Sequence, residues 1–299
     1  MQQPRAERDV GVYLDIEHTH MKPIITPEAL ATMDWKDLVI VDARSGPDAY
    51  QRYLHAHLQG AVFADLDNDL AAKPVDAAVG GRHPLPSPAD FAKVLTRLGI
   101  TPQSHVVIYD DKAGANPAAR MWWMLKAIGH EQVQVLSGGL QAAMDQHLPV
   151  TSHLSAPVAT AEYPVPAGFN GTADIEEVKA AVKDGNRKVI DVRESARYLG
   201  YTEPLDLIAG HIPGAVNMPY SNNMTPDNRY LGEDELKKNY QELLGNVAAE
   251  QVIVHCGSGV TACHTLLALE EAGLTGAKLY VGSWSEWSRR DLPIAKEEV

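Results

Sequence analysis

The chemistry of this chain starts from Cys256. The segment Val252-Ile253-Val254-His255-Cys256-Gly257-Ser258-Gly259-Val260-Thr261-Ala262 passes from a β-branched run through a glycine-bearing loop into a helical pattern. A cysteine between a buried strand and a helix start meets a run of backbone N–H groups and the positive end of the helix dipole. Such a field favours the thiolate, the form that attacks and that carries covalent intermediates. Two glycines let the loop curl around the sulfur without side-chain clashes. The competing reading is a small buried thiol at a strand end with no chemistry. The chain has one other cysteine, Cys263. It lies two helical turns further on, roughly 10 Å away. That exceeds disulfide reach, so Cys263 reads as core.

The elements that must position this loop occur twice. Leu38-Val39-Ile40-Val41-Asp42-Ala43-Arg44 is matched by Lys188-Val189-Ile190-Asp191-Val192-Arg193, and His57-Leu58-Gln59-Gly60-Ala61-Val62 by His211-Ile212-Pro213-Gly214-Ala215-Val216. Val106 to Asp110 is matched by Val252 to Cys256, and Val135 to Gly139 by Tyr280 to Ser283. Four matches in one order read as a duplication. The apolar runs predict strands buried on both faces. Between them lie helical patterns that begin at Pro88, cover Glu233 to Leu244, and run from Val260 to Ala272 before Gly273. Alternating strands and helices predict an α/β fold with one helix-covered parallel sheet per half. Residues 149–170, rich in Pro, Ala, Ser and Thr, read as a linker between domains at 22–148 and 171–299. Residues 1–21 are polar and irregular, lack a secretory pattern, and read as a loosely held extension.

Composition narrows the classes. The 299 residues carry a net charge of −13 with 39 acidic and 26 basic side chains, and no basic stripe, so nucleic acid is not an expected partner. No apolar run reaches the roughly 20 residues of a membrane span. The 12 histidines lack ligand spacing, and neither a metal nor another cofactor is expected. An anionic substrate would have to be held by local cations or N–H groups.

The cysteine loop resembles that of the 3-mercaptopyruvate sulfurtransferases, within the two-domain rhodanese family. Both Asp-x-Arg strands, both His-x-x-Gly-Ala turns and Gly282-Ser283-Trp284-Ser285-Glu286-Trp287 extend the resemblance over nearly the whole chain from about Pro23. It implies two tandem rhodanese-like domains, with only the C-terminal one catalytic and Asp110 standing where the other has its cysteine. It implies that sulfur passes from a small-molecule donor through a Cys256 persulfide to a thiol, thioredoxin or cyanide, in the cytoplasm. The neutral Gly257 and Ser258, where thiosulfate-using relatives often carry Arg and Lys, favour 3-mercaptopyruvate, with thiosulfate as the alternative donor. Substrate would meet the loop residues Gly257, Ser258, Gly259, Val260 and Thr261, with Arg197 on its carboxylate. Ser258, His83 and Asp67 would form a proton-relaying set. Gly200 to Asp206 holds no arginine where many relatives place a second one, so a single guanidinium is expected on the donor. Arg44 and Arg193 are expected to form structural ion pairs, and Trp122, Trp123, Trp284 and Trp287 to be core. Two rivals remain: a cysteine phosphatase, which needs Arg where Ala262 stands, and an inactive binding module, which would have lost the cysteine.

Overall fold

The computed structural model describes residues 21–297; all but the last residue of the expected extension at 1–21 lies outside them. Each half builds a five-stranded parallel sheet. In the first, Ile24–Ile25 lies at one edge, followed by Val133–Leu136, His105–Tyr109, Leu38–Arg44 and Val62–Asp65. In the second, Thr172–Ala173, Lys278–Tyr280, Val252–His255, Lys188–Asp191 and Val216–Asn217 follow in the corresponding order. The central strands are Val- and Ile-rich because both their faces are covered.

Local signals fix the helices. Ser87 accepts a hydrogen bond from the Asp90 N–H at 3.1 Å, and Pro88 opens the helix Pro88–Arg97 with its φ already set. Asp174 caps Ile175–Asp184, which ends on Gly185 at φ +68°. The pattern at Glu233–Leu244 is helical throughout, with Leu236, Tyr240 and Leu244 turned inward. Residues 152–170 contain neither helix nor strand, while Val150–Thr151 pairs antiparallel with His57–Leu58.

The apolar interior has three parts. One cluster lies on the outer face of the first sheet and another on the outer face of the second. The largest runs through both halves, from Phe91 and Trp122 to Cys263 and Leu279. Its centre is the contact between Pro117–Ala127 and Ala262–Glu271, the two helices that follow the equivalent loops of the two halves. Burial on this scale, at roughly 25 cal/mol per Å2, joins the halves into one unit. All four tryptophans named above are buried. Arg44 chelates Asp42 at 2.7 Å, and Arg193 holds Asp191 at 2.6 Å. These buried pairs are the structural ion pairs expected from the repeat.

Candidate active site

Cys256 follows the strand Val252–His255 and is a buried free thiol. The loop turns sharply at Gly259, whose φ is +74° and whose position would set a β-carbon 2.5 Å from the Val281 carbonyl. Only glycine fits there. The loop is also tied from outside: Ser283 Oγ accepts from the Cys256 N–H at 3.2 Å, and the Trp284 and Ser285 N–H groups donate to the Cys256 and Gly257 carbonyls. Among the described residues, no acceptor stands against the N–H groups of Gly257, Ser258, Gly259, Val260 or Thr261. They remain free for an anion.

The equivalent loop of the first half shows what such a cradle holds. The carboxylate of Asp110 accepts from the N–H groups of Lys112, Gly114, Asn116 and Ala118 at 2.7 to 3.2 Å. Burial pushes the Asp110 carboxyl up, and these four donors pull it back. The first half fills its own cradle, and the second leaves it open beside the sulfur.

His83 and Asp67 arrive from the first half. Ser258 Oγ is 2.8 Å from His83 Nδ1, and His83 Nε2 is 3.3 Å from Asp67 Oδ1. The carboxylate can only accept, so it takes the Nε2 proton and leaves Nδ1 to accept from the serine hydroxyl. Burial, then the Arg82 guanidinium, push His83 below its ordinary range, so the ring is neutral at physiological pH. The segment that delivers it is pressed hard against the second half. Gly81 has φ +79°, and a β-carbon there would lie 2.4 Å from the Gly282 carbonyl. The Arg82 N–H donates to Ser285 Oγ at 3.1 Å, and Arg290 Nε donates to the Ala78 carbonyl.

Arg197 sits in the short helix Ser195–Tyr198 and lines a cleft of about 190 Å3 with Arg82, His83, Asn116, Leu205, Cys256 and Ser258. Its guanidinium is oriented by Glu203 at 2.7 Å and Asp206 at 3.3 Å. The expectation of a single guanidinium is corrected here. Arg82 also lines the cleft, and Asp206 orients it at 2.9 and 3.3 Å. Position 206, in the stretch without an arginine, is a buried carboxylate that holds one from the other half. Arg289 also reaches Asp206, at 3.2 Å, and Arg193 reaches Glu203 at the same distance. Four guanidiniums meet three carboxylates, Asp191, Glu203 and Asp206, leaving one net positive charge.

Every expected site residue is thus within this one constellation, with Arg82 added. Its signal in the sequence was its position, directly before His83 and after two glycines. Cys263 is core: it donates to the Gly259 carbonyl at 3.4 Å, and burial pushes its thiol up to about 12.

Comparison with known proteins bears on the family and the fold. The rhodanese-like domain model matches twice, at residues 26–146 and 174–290. A Pseudomonas aeruginosa protein named "Probable 3-mercaptopyruvate sulfurtransferase" is 38% identical over 270 residues, covering 88% of this chain and 94% of that one. The thiosulfate sulfurtransferase of Gallus gallus is 35% identical over 251 residues, covering 83% and 84%. Among solved structures, the 3-mercaptopyruvate sulfurtransferase of Leishmania major superposes with a TM-score of 0.79 at 30% identity, covering 91% of this chain and 75% of that one.

Proposed function

The chain belongs to the rhodanese family in two-domain form, and from that premise we propose that it is a sulfurtransferase carrying sulfur from 3-mercaptopyruvate through a persulfide on Cys256 to a thiol acceptor. The Cys256 thiolate attacks the donor sulfur. The S–C bond breaks, and its electron pair stays on carbon as pyruvate enolate. The proton on the donor sulfur must reach that carbon, so thiolate and mercaptopyruvate become persulfide anion and pyruvate. Ser258 and His83 are arranged to carry it: the serine oxygen takes the donor proton as its own moves to Nδ1, and the reverse steps protonate the enolate. Asp67 stabilises the transient imidazolium. An acceptor thiolate then takes the outer sulfur and frees Cys256. The chemistry needs a reduced cysteine and a thiol acceptor such as thioredoxin, which suits the cytoplasm.

The observation that carries the choice of donor is the Ser258–His83–Asp67 array against the cysteine. Thiosulfate has no proton to relay. The charge agrees in sign, because the arginine cluster at the cleft holds one more guanidinium than carboxylates. The second reading, thiosulfate as donor, is favoured by the presence of both Arg82 and Arg197 in the cleft. The test is the ratio of kcat/KM values on 3-mercaptopyruvate and thiosulfate, with pyruvate release as the direct assay. Cys256→Ser should abolish activity with both, and surviving activity would refute the assignment. A ratio below one would give the chain to the second reading.

A further inference from the structure

Among the described residues, three arginines are buried. Arg44 and Arg193 each chelate an aspartate. The third, Arg120, faces no carboxylate among the described residues. It rises from the helix Pro117–Ala127 of the first half and crosses to the cysteine loop of the second. There Nη1 donates to the Gly259 carbonyl at 2.9 Å and Nη2 to the His83 carbonyl at 3.1 Å, while Nε has no acceptor. Two neutral dipoles do not balance a full buried charge, whose desolvation costs several kcal/mol. Some anion must offset it.

The groups near it narrow the choice. Burial pushes the Arg120 guanidinium down, and only the thiols Cys263 and Cys256 oppose that push. Cys263 titrates only at about 12 and stays neutral in the physiological range. That leaves Cys256. The other groups facing the loop are already partnered: Asp206 holds Arg82 and Arg197, Asp67 holds the neutral His83 ring, and His255, next to Cys256 in the chain, lies 3.7 Å from Asp191.

The duplication supplies an internal control. In the repeat offset that matches Asp110 with Cys256, Arg120 matches Leu266 in the helix Ala262–Glu271. The half with a built-in carboxylate satisfies it with four N–H groups, and the helix facing it has a leucine at this place. The half with a cysteine leaves its N–H groups open and receives an arginine. The two asymmetries occur together.

We propose that Arg120 is a positioning residue that serves as the fixed counter-charge of the cysteine loop, offsetting the anionic sulfur that Cys256 carries as thiolate and as persulfide. By pinning the Gly259 carbonyl it also fixes the following peptide plane, so that the Val260 N–H points the opposite way, as in any trans peptide. By holding the His83 carbonyl it ties both parts of the site to one charge. The inference rests on Cys256 as the reactive thiol of the proposed function, but its test needs no sulfur donor.

The test is the rate of Cys256 alkylation by iodoacetamide at one fixed pH, read by mass spectrometry on the full chain. Iodoacetamide is uncharged and reports on the sulfur rather than on the donor-binding cations. Arg120→Leu, which copies the sister helix, and Arg120→Gln, which keeps a donor for the carbonyls, should each slow alkylation at least tenfold. Arg120→Lys should restore it to within about threefold of wild type. A purely structural arginine would give one result for Lys and Gln alike, and that outcome overturns the proposal, as does a wild-type rate in Arg120→Leu. If the neutral variants do not fold, the wild-type protein decides. Cys256 carrying a carboxymethyl group should melt several degrees above Cys256 carrying the uncharged carbamidomethyl group, and equal Tm values overturn it. Failure of sulfur transfer with the alkylation pattern intact would count against the proposed function and leave this inference standing.

Discussion

Arg82→Met tests the electrostatics of the donor cleft. Arg82 Nε and Nη2 are held by Asp206, and the cleft it lines contains Cys256 and Ser258. Removing the guanidinium takes the cluster built on Asp191, Glu203 and Asp206 from one net positive charge to none. Asp206 remains held by Arg197 and Arg289, so the loop carrying Arg197 keeps its support. The loss is then a charge-assisted hydrogen bond to the donor carboxylate, about 1.5–3 kcal/mol. At 1.36 kcal/mol per factor of ten, that is roughly a 10- to 150-fold fall in kcat/KM. It should appear mainly in KM, because the carboxylate interaction is the same in ground and transition state. A second effect has an independent sign. Arg82 is one of the groups holding His83 low, so its removal lets the imidazole protonate at higher pH and shifts the acid limb of the pH–rate profile upward. Steady-state kinetics on 3-mercaptopyruvate across pH reads both. A kcat/KM within twofold of wild type, with an unmoved acid limb, would show that Arg82 neither holds the donor nor acts on His83.

Three further outcomes follow from the geometry. Gly81→Ala should cost about 1–3 kcal/mol in stability, because a β-carbon at φ +79° collides with the Gly282 carbonyl, and it should reduce sulfur transfer by displacing His83; urea unfolding and pyruvate release check it. His264 is fully buried, and burial pushes it down to about 3, so the unfolded chain binds its proton first. Its contribution to stability is complete above pH 6.5 and is lost as pH falls towards about 3, on the order of 1.4 kcal/mol per pH unit. His264→Phe should keep the aromatic packing against Tyr230 and flatten that acid loss in denaturant titrations. Asp110→Ala should destabilise the protein by about 3 kcal/mol or more without touching Cys256, because four N–H groups lose their acceptor.

What was legible in the sequence follows the range of the interactions. Strands and helices arise from local period and caps, so the alternation, the repeat and the helix at Glu233–Leu244 could be read directly. The cysteine loop is contiguous, and its strand–glycine–helix order carries its own chemistry. His83 and Asp67 could be reached only through family resemblance, because the bond from His83 to Ser258 spans 175 positions and has no periodic signature. Arg82 was missed for the same reason: its partner Asp206 is 124 positions away. Arg120 did leave a trace, as the lone charge early in the otherwise apolar helix start Pro-Ala-Ala-Arg-Met-Trp-Trp. A charge on a fully buried helix face needs an anion, and no periodicity argument says where that anion is.

In the proposed function the first half is therefore more than a wall of the site. It supplies Asp67, Arg82, His83 and Arg120, while the catalytic half supplies the sulfur, the open N–H loop, Ser258 and Arg197. In the proposed reaction, neither half alone has both the nucleophile and the groups that carry the donor's proton. In the first half Asp110 occupies the N–H cradle and the facing position 266 is a leucine, whereas the open loop of the second half is faced by Arg120. The continuous apolar core between the two loop-following helices keeps that reach fixed at hydrogen-bond length. In this arrangement the duplicated fold yields one active site because the same loop is filled in one half and left open in the other.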